Sequence, residues 1–298
     1  MTYLLLGFFN IGINMIKPII RKSMKIRASG RSSDFISPSF GFGCLLECTY
    51  CYMKRHKPNG LNYATNINQI LDAINTHCLF THIDKPNQTH PKYTTYDIAC
   101  NEDFALHSKY YNWINIFEFF KEHPKAMGTF ATKIIPTKFL KYNPKEKVRI
   151  RFSLMPQSLS DSLEPNTSKI IDRIKAVDVF RKAGYSVHLN FSPVVYYDGW
   201  VDDYTNLFKL VKNNVNDQKN VLSEVIFLTH NIDKHHYNIK NNIGNESFLW
   251  NPRIQESKQS KFGSNNIRYQ WQLKQKMIYK FKSLHKNVIP WNTIRYIF

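Results

Sequence analysis

The chain has 298 residues, 43% of them apolar, with 21 phenylalanines and 17 tyrosines. This composition allows one large core and excludes a mostly disordered chain. Five cysteines are an odd number without a paired framework, which excludes a secreted disulfide protein and predicts a reducing, cytoplasmic location. The apolar first sixteen residues contain Asn10 and Asn14 and stop at Lys17, so we expect neither a signal peptide nor a membrane span there.

The formal net charge is +19, and it is concentrated at the two ends. Residues 1–60 carry nine Lys/Arg against two acids, a balance of +7, and residues 251–298 carry ten against one, a balance of +9. Basic ends around a nearly neutral body favour a phosphate-binding surface, although general solubility is an alternative. Aromatic residues between the C-terminal charges favour nucleic acid as the partner. They are Tyr269, Trp271, Tyr279 and Trp291.

Strand-like and helical segments alternate along the middle of the chain. The predicted strands cover residues 36–42, 96–100, 128–134, 148–155, 187–195 and 224–229. The predicted helices cover residues 67–79, 110–122, 168–183 and 204–213. About six such repeats imply parallel strands with right-handed crossovers, and they predict an α/β fold with a closed or partial (β/α)6 barrel.

The pattern also divides the chain into three parts. Residues 1–35 form a basic N-terminal extension, residues 36–235 the barrel, and residues 236–298 a small basic C-terminal appendage. Residues 238–251 are rich in asparagine and are predicted to be a loop or insertion.

A group of three cysteines follows the first predicted strand. Cys44, Cys48 and Cys51 have the spacing C-x3-C-x2-C, which offers a metal three thiolates and no fourth. A 4Fe–4S cluster held in this way keeps one iron open to an outside ligand. The spacing is that of radical S-adenosylmethionine (SAM) enzymes, in which SAM takes the open iron. The alternative is a Cys3His zinc site completed by His56.

Several reactive or polar residues lie at or near the ends of predicted strands. Because chemistry in α/β barrels gathers at the carboxyl ends of the strands, this placement predicts a site in the barrel mouth. These residues are Cys44, Cys100, Lys133, Ser153, Pro193 and His230.

Four segments resemble the spore photoproduct lyase family of radical SAM DNA-repair enzymes. They are residues 44–52, 98–103, 130–133 with 148–153, and 164–168 with Arg173 and 183–185. The most specific element is the Cys-x-Tyr-Cys-Tyr form with a separate cysteine after a later strand. Residues 192–200, 268–269 and 294–298 resemble the family more weakly.

The resemblance implies a partial radical SAM barrel with two cofactors. Cys44, Cys48 and Cys51 would hold the 4Fe–4S cluster, and SAM would complete it. Lys133 and Ser153 match residues that contact SAM in the family. Glu102 and Asp103 stand where the superfamily holds the amino end of SAM, although the lyases have a small hydroxyl residue at the position of Glu102.

The resemblance also implies a reaction, in which a 5′-deoxyadenosyl radical takes a hydrogen atom from the thymine lesion and two thymines are restored. Cys100 matches the thiol that returns a hydrogen atom, since an S–H bond is weak. Tyr50 and Tyr52 match tyrosines that relay the radical toward SAM. The alternative is packing: a small buried side chain for Cys100, and an aromatic beside the cluster for either tyrosine.

His230, Arg268 and Tyr269 match substrate contacts, the last two in a basic hairpin that the family wedges into damaged DNA. The implied partners are damaged duplex DNA and an electron donor such as flavodoxin or ferredoxin, and we expect a monomer. Two other functions remain open. They are a radical SAM enzyme with a different nucleic-acid substrate, and a non-catalytic module that binds zinc and nucleic acid.

Overall fold

The fold is organised around a curled sheet of eight strands. The computed structural model describes residues 16–29, 31–51, 53, 61–259 and 265–298, so Tyr52 and His56 lie outside the described residues. Within the described residues, the strands are β1 (Lys17–Ile19), β2 (Arg27–Ala28), β3 (Phe35–Ile36), β4 (Gly41–Phe42), β5 (Asn62–Ala64), β6 (Thr94–Asp97), β7 (Ala126–Thr132), β8 (Val148–Leu154), β9 (Ser186–Val194), β10 (Leu222–Phe227), β11 (Thr229–Asn231), β12 (Gln255–Gln259), β13 (Asn265–Tyr269) and β14 (Thr293–Ile297). The helices are α1 (Ile67–Phe80), α2 (Phe104–His107), α3 (Trp113–Glu122), α4 (Gln157–Leu163), α5 (Ile170–Lys182), α6 (Trp200–Asn214), α7 (Ile232–Lys240), α8 (Glu246–Leu249) and α9 (Trp271–Val288).

The central sheet has the strand order β14-β10-β9-β8-β7-β6-β3-β2. Neighbouring strands from β3 to β14 are parallel, and only the edge strand β2 pairs antiparallel. From β3 to β10 the strands of this sheet follow chain order, apart from β4 and β5, which belong to a separate three-stranded sheet with β1, and the connections contain helical segments. This arrangement confirms the predicted α/β fold and partial barrel.

Strand β8 shows how the sequence shapes the sheet. Val148, Ile150 and Phe152 alternate toward the helices and are fully buried in the hydrophobic core. Arg149 and Arg151 point to the opposite face, where Arg151 is paired in register with His188 of β9. Both arginines are also almost inaccessible to solvent, so this second face carries buried charges.

Ion pairs, together with one histidine–carboxylate contact, connect side chains of five strands on that second face. Arg151 lies 2.8 Å from Asp97 of β6 and 3.6 Å from Glu224 of β10. His188 and Arg295 of β14 lie 3.3 Å and 3.2 Å from the same Glu224 carboxylate. Burial alone would raise the pKa of Glu224, but His188, Arg151 and Arg295 lower it to about 2. We call these five residues the charged network.

The C-terminal region contributes to two sheets. Strands β11, β13 and β12 form a small antiparallel sheet that contains a β12–β13 hairpin, while helix α9 packs against α6. The chain then returns to the central sheet as β14, parallel to β10. Residues after 235 thus complete the central sheet. The predicted domain boundary at residue 235 stays a prediction.

The predicted loop over residues 238–251 is wrong in part. Helix α7 continues to Lys240, and α8 occupies Glu246–Leu249. Asn231 caps α7 through hydrogen bonds from the backbone of Asp233 and Lys234. Asn238 is fully buried, so tertiary contacts outweigh the low helix propensity of asparagine. Among the described residues, no helix combines the length and apolar character needed to cross a bilayer.

Candidate active site

Hydrogen bonds from backbone amides hold the loop that carries the three cysteines, both just before the loop and within it. Before it, the Gly41 amide donates to Glu102 Oε1 at 2.7 Å. Gly43 has a φ of +90°, a left-handed conformation that glycine adopts at little cost, and its amide donates to the carbonyl of Asn101 at 3.0 Å. Within it, the Thr49 amide donates to the carbonyl of Leu163 at the end of α4, also at 3.0 Å.

The three thiols of this loop line one small pocket. Cys44, Cys48 and Cys51 form its walls together with Glu47 and Met53. Burial raises the pKa of Cys44 to about 12 and raises the pKa of Cys48 and Cys51 as well. Three sulfur donors that line one small pocket fit the thiolate ligation of an iron–sulfur cluster. His56, on which the zinc alternative depends, lies outside the described residues.

Glu102 stabilises the segment just before the cysteine loop. Its side chain is fully enclosed, and its carboxylate accepts hydrogen bonds from the Gly41 amide and, at 3.1 Å, from the Tyr111 hydroxyl. His107 Nδ1 lies 3.1 Å from the same carboxylate. These contacts hold the carboxylate within the protein, so its predicted contact with SAM remains a prediction while its observed role is structural.

Asp103 joins the ends of β6 and β7. Its Oδ1 caps α2 by accepting from the Leu106 amide at 3.2 Å and accepts from Thr132 Oγ1 at 2.9 Å. Its Oδ2 accepts from the Lys133 amide at 3.0 Å. Asp103 therefore fixes the backbone from which the Lys133 side chain projects.

Lys133, Tyr50 and Glu164 form a cluster beside the cysteine pocket. Lys133 Nζ lies 3.6 Å from Glu164 Oε1 and 5.8 Å from the centre of the Tyr50 ring. The Tyr50 hydroxyl donates to the same Glu164 oxygen. Burial lowers the pKa of Lys133, but Glu164 and Cys48 outweigh it and raise the pKa overall. The cluster places a cation and a phenol next to the sulfur donors.

A buried arginine anchors this cluster. Arg173 is fully enclosed, and its Nη1 donates to Glu164 Oε2 at 3.0 Å and to the carbonyl of Ser153 at 2.8 Å. Its Nε donates to the carbonyl of Ser168 at 2.9 Å. Glu164 and Arg173 were not among the predicted site residues, although both lie in segments that carry the family resemblance.

Ser153 and Cys100 lie at the ends of different strands. Ser153 is buried, and its hydroxyl accepts from Asn190 Nδ2 at 3.2 Å. Cys100 is half-buried, with Arg27 Nη2 3.7 Å from its sulfur. Burial, followed by the nearby Asp97 charge, raises the pKa of the Cys100 thiol. Cys78, which we assign to packing, is buried in α1.

The three predicted substrate contacts lie in the C-terminal region. Arg268 and Tyr269 are neighbours in β13, so they point to opposite faces of the hairpin. Arg268 is about one-third exposed and lies 3.2 Å from Glu256 on the facing strand. Tyr269 is buried, and its hydroxyl accepts from the Tyr196 amide at 2.8 Å. His230 is fully buried against Glu246. Their substrate contacts remain predictions.

An aromatic cavity lies between the end of β9 and this hairpin. Tyr196, Tyr197, Phe248 and Tyr269 line it together with polar side chains. Aromatic faces of this kind suit the stacking of planar rings, including nucleobases. The cavity was not predictable from local patterns, because its walls come from three separate segments of the chain, residues 196–198, 247–255 and 269.

The curled parallel sheet and the three-cysteine loop together define the class of protein as one with the radical SAM fold. Residues 12–298 match the family model described as spore photoproduct lyase. The chain therefore belongs to the spore photoproduct lyase family, as its sequence motifs predicted.

Curated relatives and solved structures agree with this assignment. A spore photoproduct lyase of Bacillus subtilis is 27% identical over 197 residues, covering 64% of this chain and 54% of the relative. One of Clostridium acetobutylicum is 25% identical over 215 residues, covering 72% and 62%. The matches to the Bacillus and Geobacillus relatives span about half of their length.

Among solved structures, a spore photoproduct lyase complexed with dinucleoside spore photoproduct matches with a TM-score of 0.83 at 18% identity. That match covers 94% of this chain and 82% of the other. A mutant lyase with bound AdoMet and dinucleoside spore photoproduct matches with a TM-score of 0.84 at 16% identity, covering 100% and 88%. These likenesses establish the shared fold.

Proposed function

We propose that this chain is a radical SAM lyase that converts spore photoproduct in DNA back to two thymines. The observation that carries the proposal is the pocket formed by three thiols beside Lys133 and Tyr50, in a chain of this family. Structural neighbours that hold AdoMet and dinucleoside spore photoproduct support the same cofactor and substrate.

Two groups of residues would hold the cofactors. Cys44, Cys48 and Cys51 would ligate a 4Fe–4S cluster, and Lys133 with Ser153 would help to bind SAM. Asp103 would contribute by holding the backbone of Lys133 in place, because its carboxylate accepts a hydrogen bond from the Lys133 amide. When bound, the cluster and SAM would supply a carbon-centred radical that removes a hydrogen atom from the lesion.

Cys100 would complete the repair by giving a hydrogen atom to the thymine radical. Its raised pKa keeps the sulfur protonated near neutral pH, and only the thiol carries the hydrogen atom to be transferred. The transfer breaks the S–H bond, forms a C–H bond and leaves a radical on the Cys100 sulfur.

A tyrosine would then return a hydrogen atom to that sulfur. Tyr50 suits this step because a phenol can give up its electron and its proton together: the O–H bond breaks, the S–H bond of Cys100 forms again, and the radical passes to the tyrosine oxygen. Tyr52 keeps its predicted part in the relay, and it lies outside the described residues.

Damaged duplex DNA is the proposed partner, together with an electron donor such as flavodoxin or ferredoxin. The basic ends of the chain suit a phosphate backbone, and the β12–β13 hairpin carries Arg268 at its surface. Flipping a lesion out of the stack costs a few kcal/mol, and the aromatic cavity could offset part of that cost by stacking. We further propose a monomer that works in a reducing compartment such as the cytoplasm.

Anaerobic purification followed by reconstitution tests the proposal. The loaded protein should be brown, and with reductant, SAM and a synthetic dinucleotide lesion it should yield 5′-deoxyadenosine and a dinucleotide with both thymines restored. Undamaged RNA offered in parallel tests the alternative substrate. A colourless protein with zinc at the three cysteines, or 5′-deoxyadenosine formed with RNA but not with the lesion, would overturn the proposal.

A further inference from the structure

Two histidines, one of them the predicted substrate contact His230, meet a glutamate away from the three-cysteine pocket. Their ligand atoms all lie within 4.8 Å of one another. His230 Nε2 is 3.4 Å from Glu246 Oε2, and His235 Nδ1 is 2.5 Å from the same oxygen. His230 belongs to β11, His235 to α7 and Glu246 to the start of α8, so three separate elements converge on one point.

His230 gives this cluster a second, independent feature. The residue is fully buried, and neither of its ring nitrogens makes a hydrogen bond within the described part of the chain. An unsatisfied polar group in a protein interior costs about 1–3 kcal/mol, so native structures usually provide a partner. Because Nε2 is directed toward Glu246, a ligand placed between the two side chains would satisfy that nitrogen.

We propose that His230, His235 and Glu246 bind a divalent first-row transition-metal ion such as zinc. Two imidazoles and one carboxylate are a common zinc donor set, whereas magnesium and calcium prefer oxygen donors alone. A tetrahedral ion with bonds of about 2.0–2.1 Å places its ligand atoms roughly 3.4 Å apart. The His230–Glu246 separation matches this value, and the His235–Glu246 pair has to open by roughly 1 Å to reach it.

The surrounding contacts suggest what the ion does for the protein. Asn238 Nδ2 donates to the other oxygen of Glu246, which orients the carboxylate as second-sphere partners of metal ligands commonly do. The same amide donates to the Thr49 carbonyl at 2.9 Å. Since Thr49 lies between Cys48 and Cys51, the ion would brace the cysteine loop through Asn238.

Metal content provides a direct test on the cluster-loaded protein. Zinc chloride is added, unbound metal is removed by gel filtration, and zinc and iron are measured per chain. We expect one equivalent of zinc in the wild type and at least tenfold weaker binding in His235→Ala and Glu246→Gln. Iron is measured in the same samples, so that a loss of zinc at unchanged iron content is assigned to this site and not to the cysteines. His236→Ala is the matched control, since it removes an exposed histidine from the same helix and should retain the zinc.

Cobalt(II) supplies a second readout that separates this site from the cysteines. Bound here, it should show visible ligand-field bands without thiolate charge-transfer absorption, and Cys44→Ser should leave those bands unchanged. Asn238→Ala should weaken binding about 10- to 100-fold, as expected for loss of a second-sphere partner. The inference is overturned if the wild type retains no zinc, or if His235→Ala and Glu246→Gln retain as much as His236→Ala. These readouts do not depend on lyase activity, so they stand apart from the proposed function.

Discussion

Glu164 shows how much of the site depends on a single side chain. Its fully enclosed carboxylate accepts from Tyr50, lies 3.6 Å from Lys133 and pairs with the buried guanidinium of Arg173. Ser160 donates to the same carboxylate at 3.3 Å. Two cations and two hydroxyl groups are thereby held in fixed positions beside the cysteine pocket. The negative charge itself is needed, because a neutral side chain would leave Arg173 buried without a counter-ion.

Replacing this carboxylate tests that dependence. Glu164→Gln keeps the size and hydrogen-bonding capacity of the side chain but removes its charge, so the free energy of unfolding should fall by about 3–5 kcal/mol. Denaturant titration of the metal-free chain measures this change. Asp161→Asn is the control, because Asp161 forms an exposed ion pair with Lys169 at 2.8 Å and accepts an exposed hydrogen bond from Gln157, so its substitution should leave the midpoint unaltered. Equal midpoints for the two variants would refute the buried role of Glu164.

Substituting the two cysteines outside the cysteine loop should affect the products in different ways. Cys100→Ala removes the hydrogen donor, so SAM should still be cleaved while restored thymines fall at least tenfold and by-products of the thymine radical appear. Product analysis by chromatography measures this partition. Cys78→Ala changes a cysteine buried in α1 and should keep the normal products. If Cys100→Ala gives the wild-type products, Cys100 is a packing residue.

At the scale of elements, strand β4 packs closely against the segment that follows β6, and this contact sets the position of the cysteine loop. A Cβ added to Gly41 would lie 2.1 Å from Glu102 Oε2, well inside contact distance. Since that carboxylate is already enclosed, it cannot move aside without losing its bonds to Tyr111 and the Gly41 amide. A small shift of β4 should therefore also displace the cysteine loop, which begins two residues later.

Gly41→Ala should displace β4 and reduce cluster loading. We expect a cost of about 1–3 kcal/mol in unfolding free energy, typical of overpacking, and iron per chain below half of the wild-type value after reconstitution. Iron analysis and denaturant titration measure both effects. Gly244→Ala adds the same methyl group where a Cβ meets no atom of the described residues within 4 Å, so it should match the wild type. Normal iron content in Gly41→Ala would argue against this coupling.

For the molecule as a whole, the charged network predicts sensitivity to acid. Burial and Arg149 lower the pKa of His188 from an ordinary 6.5 to about 3, and the pKa of Glu224 falls from 4.5 to about 2. In both cases the unfolded chain takes up the proton first as the pH falls. The stability present above pH 6.5 should therefore decline from about pH 6.5 toward 3 through His188, and again from 4.5 toward 2 through Glu224.

Thermal unfolding of the metal-free chain between about pH 8 and 4 measures this decline, and the midpoint should fall steadily. His188→Asn should make the decline between about pH 6.5 and 4.5 shallower, since it removes one of the histidines whose pKa is lowered by burial. His82→Asn changes an exposed histidine and should leave the profile as it is. A wild-type midpoint that is constant over this range would show that the network does not titrate as proposed.

The sequence predicted the parts of this molecule that local patterns encode. The alternation in β8, the amphipathic helix α5 and the spacing of the three cysteines each reflect short-range rules, and the structure places the strand and the helix within two residues of their predicted bounds. Long-range contacts were not predictable in this way. Glu102 meets Gly41 across 61 residues, and Glu246 reaches His230 from an asparagine-rich segment that resembles a loop.

The close contact between Gly41 and Glu102 has a consequence for the evolution of this family. Neither position can vary freely while the other is unchanged, because a larger residue at the first needs a shorter one at the second. Comparing many homologues should therefore reveal correlated exchange at these two sites, with glycine accompanying a long acid and bulkier residues accompanying serine or threonine. A lineage that changed from one pairing to the other must have passed through an ancestor with either a steric clash or an unfilled cavity at this contact.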